Sequence, residues 1–353
     1  MIRHILAPLA ALALATQAHA QTPEAVRSFG TQDAQHRLTV RGTTDIVLFG
    51  PVLRAFTAAY PQYAVDYEQW GSNDLYAAAD ASCAAGTQMS DMLISSAVDL
   101  QVRLVNDGCA RPHRSDATDR LPPEANWRDE VFGITREPAV LVYNRVLVPD
   151  TEAPRSRFDL IDLLRPVGSR YAGRVATYDI EQSGLGYLFA FVDSQQATTF
   201  GSLIEAFGRS GAIATCCSAE IIDGVVSGRY LIAYNVLGSY ALARAEESPE
   251  LAVVAPEDYT LVLSRAALIP RLATQAEDAG LLLDFLLSDA GQRAMADVHL
   301  IVPLDDPDTA ELTLPSGSAV LRQIPLSPVL LVGLDQQKRA RFLDLWRGTF
   351  TTE

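Results

Sequence analysis

The chain has 353 residues, 48% hydrophobic and 20% charged, enough for roughly two domain cores. Its formal net charge of −15 argues against nucleic acid and anionic membrane surfaces as partners. A small anionic ligand is not excluded, because local donors rather than net charge would hold it.

At the N-terminus, Arg3 and His4 precede an apolar stretch over 5–15 and an Ala18-His19-Ala20 motif. This pattern predicts a secretory leader, residues 1–20, cleaved after Ala20. The stretch is too short to span a bilayer, and no later one reaches ~18 uninterrupted apolar residues. The sequence therefore predicts an exported, soluble protein. Four cysteines fit an oxidising compartment. Cys83 and Cys109 are the expected bridge, since both fall in the first predicted lobe. Cys216 and Cys217 are then free or joined to each other.

Residues 21–35 read as a polar lead-in. A strand over 38–41 ends in Gly42-Thr43-Thr44-Asp45 and hands over to a helix at 46–59. A second strand, 63–70, ends in Gly71-Ser72-Asn73-Asp74 before an Ala-rich helix at 75–85. A third, 92–94, ends in Ser95-Ser96 before a helix at 98–105. Three successive β–α units predict a doubly wound parallel sheet, and the junction residues are good N-caps. Residues 108–130 read as a surface loop. The β-rich stretch 131–144 is interrupted by Glu137-Pro138, which suits a crossing between lobes better than a central strand.

A second α/β set follows. It has helices at 158–164, 185–192, 200–207 and 219–226, and strands at 174–178 and 212–215. The first of these strands ends in Asp179, followed by Ser183-Gly184. An apolar strand over 230–234 ends on Asn235, and a helix runs over 236–245. A strand at 251–255 follows, and 259–263 reads as the return crossing. Amphipathic helices at 276–287 and 290–298 lead to an aperiodic stretch, 304–328. A last helix, 335–347, carries Phe342, Leu345 and Trp346 to pack on the body. The predicted division is lobe I at 36–132 plus 260–303, lobe II at 138–254, and a C-terminal extension at 304–353.

Gly42-Thr43-Thr44-Asp45, Trp70-Gly71-Ser72-Asn73, Ser95-Ser96, Val142-Tyr143-Asn144 and Leu283-Asp284-Phe285-Leu286-Leu287-Ser288 through Gln292 occur in that order. This set, within roughly residues 38–300, resembles the periplasmic substrate-binding proteins of ABC importers, in the class that includes ferric-iron and sugar-phosphate binders. The resemblance implies the two-lobed type II α/β fold of periplasmic binding proteins, each lobe a doubly wound, mostly parallel sheet. Two crossing strands would act as the hinge of a ligand cleft. It further implies a periplasmic monomer without cofactor, working with an inner-membrane ABC permease. Ferric binders of this class carry adjacent tyrosines where Tyr234 and Tyr240 stand apart here. Iron is therefore a secondary alternative, with Tyr178, Tyr234, Tyr240, Asp45 and Asp179 as oxygen donors.

Helix N-termini suit phosphate or carboxylate. Thr43, Thr44, Asp45, Ser72, Asn73, Ser95, Ser96, Asp179, Ser183, Gly184, Asn235 and Ser239 are thus expected to line the cleft and hold a small anionic solute, phosphorylated or carboxylated. Trp70, Tyr178 and Tyr234 are expected to stack on it. Any one junction alone would be an ordinary N-cap. A ligand sensor docking on a two-component histidine kinase has the same binding physics, and a hydrolase on this fold is a further alternative. The sequence lacks G-x-S-x-G, H-E-x-x-H and G-x-x-x-x-G-K-[ST] motifs, so no catalytic residue and no metal site are predicted.

Overall fold

The computed structural model describes residues 22–196, 198–304, 312–313 and 320–350, so the expected leader lies outside it. Two eight-stranded sheets organise the chain. In the first, the apolar alternation of His36–Gly42 buries Leu38 and Val40. This strand pairs in parallel with Tyr63–Gln69 on one side and Met92–Ser95 on the other. The helices Ile46–Ala59, Ser72–Ala85 and Val98–Asn106 follow these three strands, as the β–α pattern predicts. Ile46–Ala59 buries Leu48, Phe49, Val52, Leu53 and Phe56, a helical spacing that forms one side of this lobe's core.

Antiparallel strands complete the sheet. Ala266–Pro270 pairs with both Met92–Ser95 and Val131–Gly133. The lead-in expected over 21–35 contains the strand Ala25–Phe29, antiparallel to Tyr63–Gln69. Its first four residues are exposed and Phe29 alone is buried. An edge strand held mainly by backbone bonds shows little hydrophobic alternation to read.

The second sheet has the order Ile213–Thr215, Val175–Tyr178, Ile232–Leu237, Glu137–Asn144, Leu251–Val254, Leu312–Thr313. Its first two pairings are parallel, and Glu137–Asn144 joins antiparallel. Both sheets are therefore mixed, parallel where β–α units repeat and antiparallel where the crossing strands insert. One passage between sheets falls between Val131–Gly133 and Glu137–Asn144, on either side of the Thr135-Arg136 stretch. The other comes later than the sequence suggests. Thr260–Leu263 still pairs with Pro138 and Glu137 in the second sheet, and the chain changes sheets at Ser264-Arg265.

The tail closes over both lobes. Leu321–Gln323 adds in parallel to Thr260–Leu263. The short helix Leu331–Leu334 packs on Val98–Asn106, and Gln336–Thr349 packs on Phe200–Ser210. Tyr187 donates its hydroxyl hydrogen bond to the Gly333 carbonyl at 2.5 Å. Phe342 lies against the rings of Tyr187, Phe191 and Phe200, and Trp346 is buried. Disulfides join Cys83 to Cys109 and Cys216 to Cys217. Among the described residues, no helix is long and apolar enough to cross a membrane.

Candidate functional site

A cleft of about 790 Å³ opens between the two lobes. Its lobe I wall is built from the ends of the parallel strands and the helix starts after them. Thr43 and Ser96 sit on neighbouring strand ends, with hydroxyl oxygens 3.2 Å apart, and the Ser96 N–H donates to the Thr43 hydroxyl at 3.0 Å. Asp45, Gln69, Trp70, Ser72 and Asn73 continue this wall. Lobe II contributes Tyr178, Gln182, Ser183 and the Cys216-Cys217-Ser218 turn, all at strand-to-helix junctions.

The floor carries Arg265, placed by the second passage between sheets. It is 1% exposed and forms a two-pronged pair with Glu137 at 2.8 and 3.2 Å. Glu137 also accepts from Thr135 at 2.7 Å and Ser239 at 2.5 Å. The pairing carboxylate holds the Arg265 guanidinium protonated against the cost of burial. Its Nη1 is buried and has no hydrogen-bond partner among the described residues. Beside it, the Tyr240 hydroxyl accepts from the Asp45 N–H at 3.0 Å and donates to Asp45 Oδ1 at 2.9 Å. The Tyr178 hydroxyl is 2.6 Å from that of Ser218 and accepts from the Leu237 N–H at 3.2 Å. Burial pushes the Tyr178 phenol up to about 12.

At the mouth the lobes touch. The Gly184 N–H donates to Ser72 Oγ at 2.9 Å, and Asn73 Nδ2 donates to the carbonyls of Glu181 and Gln182 at 2.9 and 3.0 Å. Both walls are built at helix starts, the positive ends of helix dipoles, although several of the first N–H groups there, such as those of Asp45, Ser96 and Gly184, already donate within the protein.

Of the residues expected at the site, Thr43, Asp45, Trp70, Ser72, Asn73, Ser96, Tyr178 and Ser183 line the cleft, and Gly184 lies at its lip. Ser183 also caps its helix, accepting from the Gly186 N–H at 3.0 Å. The others lie elsewhere. Thr44 is fully buried behind the wall, and Ser95 Oγ accepts from the Ala97 N–H at 3.1 Å. Asp179 folds its own turn, accepting from the Glu181 N–H at 2.8 Å.

Tyr234 and Asn235 are displaced because their strand does not stop at Asn235 but runs to Leu237. A register shift between Ala233 and Val236 accommodates Asn235 at φ 61°. Tyr234 instead joins a buried lobe II network, accepting from Arg157 Nε at 2.7 Å and donating to Asp193. Ser239 lies in the first turn of the next helix and points inward to Glu137. The oxygen donors considered for iron are thereby split, since Tyr234 and Asp179 are off the cleft. Among the described residues no cluster of three His, Cys, Asp or Glu side chains is placed to hold a metal.

Sequence reasoning missed Arg265 and the cleft carboxylates Glu24, Asp74, Glu181 and Glu220, and it offered the Cys216–Cys217 bridge without placing it in the cleft. For Arg265 a signal exists: it is the single charge in the apolar run 259–270, and such a residue is paired or functional.

Two α/β lobes joined by crossing segments around a polar cleft define a solute receptor of the two-lobed periplasmic-binding-protein class. The chain belongs to the bacterial extracellular solute-binding protein family, whose profile matches residues 87–322. It is 35% identical to the substrate binding protein of an ABC transporter from Agrobacterium tumefaciens, covering 92% of this chain and 98% of that one with a TM-score of 0.83. Two more distant structures share the fold. Iron-bound HitA from Pseudomonas aeruginosa is 17% identical over 89% of this chain and 99% of its own, with a TM-score of 0.65. AfuA from Actinobacillus pleuropneumoniae, with exogenous fructose-6-phosphate bound, is 16% identical over 90% and 100%, with a TM-score of 0.68. No curated protein sequence matches this chain.

Proposed function

We propose that this protein is the periplasmic receptor of an ABC importer. It captures a small solute bearing an anionic group, phosphoryl or carboxyl, between its lobes and passes it as a monomer to an inner-membrane permease. The observation that carries the anionic group is Arg265, a buried guanidinium on the cleft floor with one nitrogen left without a hydrogen-bond partner among the described residues. Thr43, Ser96 and Ser218 line the same cleft as neutral donors, and hydrogen bonds to a charged group contribute about 1.5–3 kcal/mol each. In this reading the working bodies are residues 22–133 with 266–304, and 137–263, turning about 134–136 and 264–265.

Thermal melting against phosphorylated and carboxylated metabolites, followed by small-angle scattering with any stabilising compound, tests the reading. A ligand at a hundred times its Kd adds about 2.7 kcal/mol of stability. The expected result is a raised Tm with a smaller radius of gyration. Stabilisation by cations or neutral solutes alone would overturn the anionic assignment.

A further inference from the structure

The cleft that carries Arg265 is otherwise acidic. Five carboxylates line it, Glu24, Asp45, Asp74, Glu181 and Glu220, against one guanidinium. Glu181 is neutralised by Arg347 at 2.6 Å. Glu24, Asp45 and Asp74 make no ion pair among the described residues, and they share one stretch of the lobe I wall. Gln69 Nε2 donates to Glu24 at 3.0 Å and to Asp45 at 3.4 Å. A Cβ on Gly71 would lie 3.3 Å from Glu24 Oε1 and 3.5 Å from Asp74 Oδ2.

Like charges held this close repel, and a solute of purely negative charge would meet them on its way to Arg265. A cation among them removes both costs. The carboxylates ring Gln69 and Gly71 rather than converging on a point, and no metal-holding cluster occurs among the described residues. That arrangement suits an organic ammonium, whose charge is spread over several N–H or methyl groups, better than a metal ion. The same cleft also has apolar lining, Leu185, Leu237 and the Cys216–Cys217 bridge, which suits the short carbon chain of such a solute.

Resting on the anion-anchoring role of Arg265, we propose that the solute is a small zwitterion. Its acidic group sits on Arg265 and its ammonium, primary or methylated, sits among Glu24, Asp45 and Asp74. The two ends select against simple phosphates and carboxylates on one side and simple amines on the other.

Matched probes test this by thermal shift and titration calorimetry. One set is O-phosphoethanolamine, ethyl phosphate and ethanolamine; another is 4-aminobutyrate, butyrate and butylamine; phosphocholine and glycine betaine add methylated ammonium. At least one zwitterion is expected to bind about ten-fold or more tightly than its anion-only counterpart. In the double variant Glu24→Gln, Asp74→Asn that advantage is expected to fall to about two-fold or less. Both side chains are exposed, so the variant should fold, and its melting without probe should match or slightly exceed the wild type as the repulsion is relieved. An anion-only probe binding as tightly as its zwitterion would overturn this inference and leave the anion receptor standing. An amine-only probe binding as tightly as the zwitterion would overturn both. Failure of every zwitterion to stabilise the protein, or an unchanged advantage in the double variant, would also overturn the inference.

Discussion

Arg265 and Asp99 show how differently two buried charges are handled. Arg265 has its carboxylate partner, so the cost of burying it is offset by Glu137 and by the Ser239 and Thr135 hydroxyls behind that carboxylate. Asp99, 2% exposed in the helix Val98–Asn106, has an Oδ1 without a hydrogen-bond partner among the described residues. Burial pushes its carboxyl up from 3.8 to about 7, partly opposed by the backbone N–H groups of Leu100 and Asp99 and less by Arg339. The native protein therefore holds this proton more tightly than the unfolded chain does. Its contribution to stability is fully present below about pH 4 and is lost as pH rises to about 7. Asp99→Asn keeps the shape and cannot ionise, so it should melt above the wild type at pH 8 and close to it at pH 4.5. An equal gap at both pH values would show that Asp99 does not titrate in this range. Arg265 is visible in the sequence only as the lone charge of an apolar run, and Asp99 is not visible as special at all. Asp99 reads as a first-turn helix acid, and Ser239 as a cleft cap, because facing direction within a helix turn depends on how the helix docks.

At the scale of elements, the β–α alternation is legible because apolar runs and capping junctions recur in register with it. The helices after the first three strands begin and end close to where periodicity places them. What escapes is set by backbone pairing rather than by side-chain pattern. The edge strand Ala25–Phe29, the bulge at Asn235 and the later change of sheet at Ser264-Arg265 all depend on a partner strand distant in sequence. The bulge alone moves Tyr234 and Asn235 from the cleft into the interior of lobe II. The contact between the helices Ser72–Ala85 and Gly184–Gln196 is a second such case. A methyl on Gly184 would lie 3.0 Å from Asn73 Oδ1 and 3.1 Å from both Ala97 Cβ and Leu100 Cδ1. Gly184→Ala should hold the cleft mouth apart, with an overpacking cost of about 1–3 kcal/mol falling on the closed form. Scattering with saturating solute should then report a larger radius of gyration than in the wild type. The same closure in both proteins would show that this contact does not limit it.

Across the whole molecule, the tail is part of the body rather than an appendage. Trp346 lies tilted against Phe350, centroids 4.4 Å apart, at the lobe II core, and Arg347 pairs with Glu181 beside the cleft. Trp346→Ala should therefore cost about 3–5 kcal/mol in denaturant unfolding. A loss below about 1 kcal/mol would mean that the tail packs without supporting the lobe. The two sheets and the tail together leave Arg265 at the junction of both lobes. The proposed anion site rests on that placement. It is tested most directly by titration calorimetry of the double variant Arg265→Gln, Glu137→Gln with the anionic compound that most stabilises the wild type. Removing Arg265 alone would strand a buried carboxylate at a cost of about 3–5 kcal/mol, whereas replacing both partners keeps the fold. The expected result is a folded protein whose affinity is lower by roughly ten- to more than a hundred-fold. Wild-type affinity in that variant would contradict it.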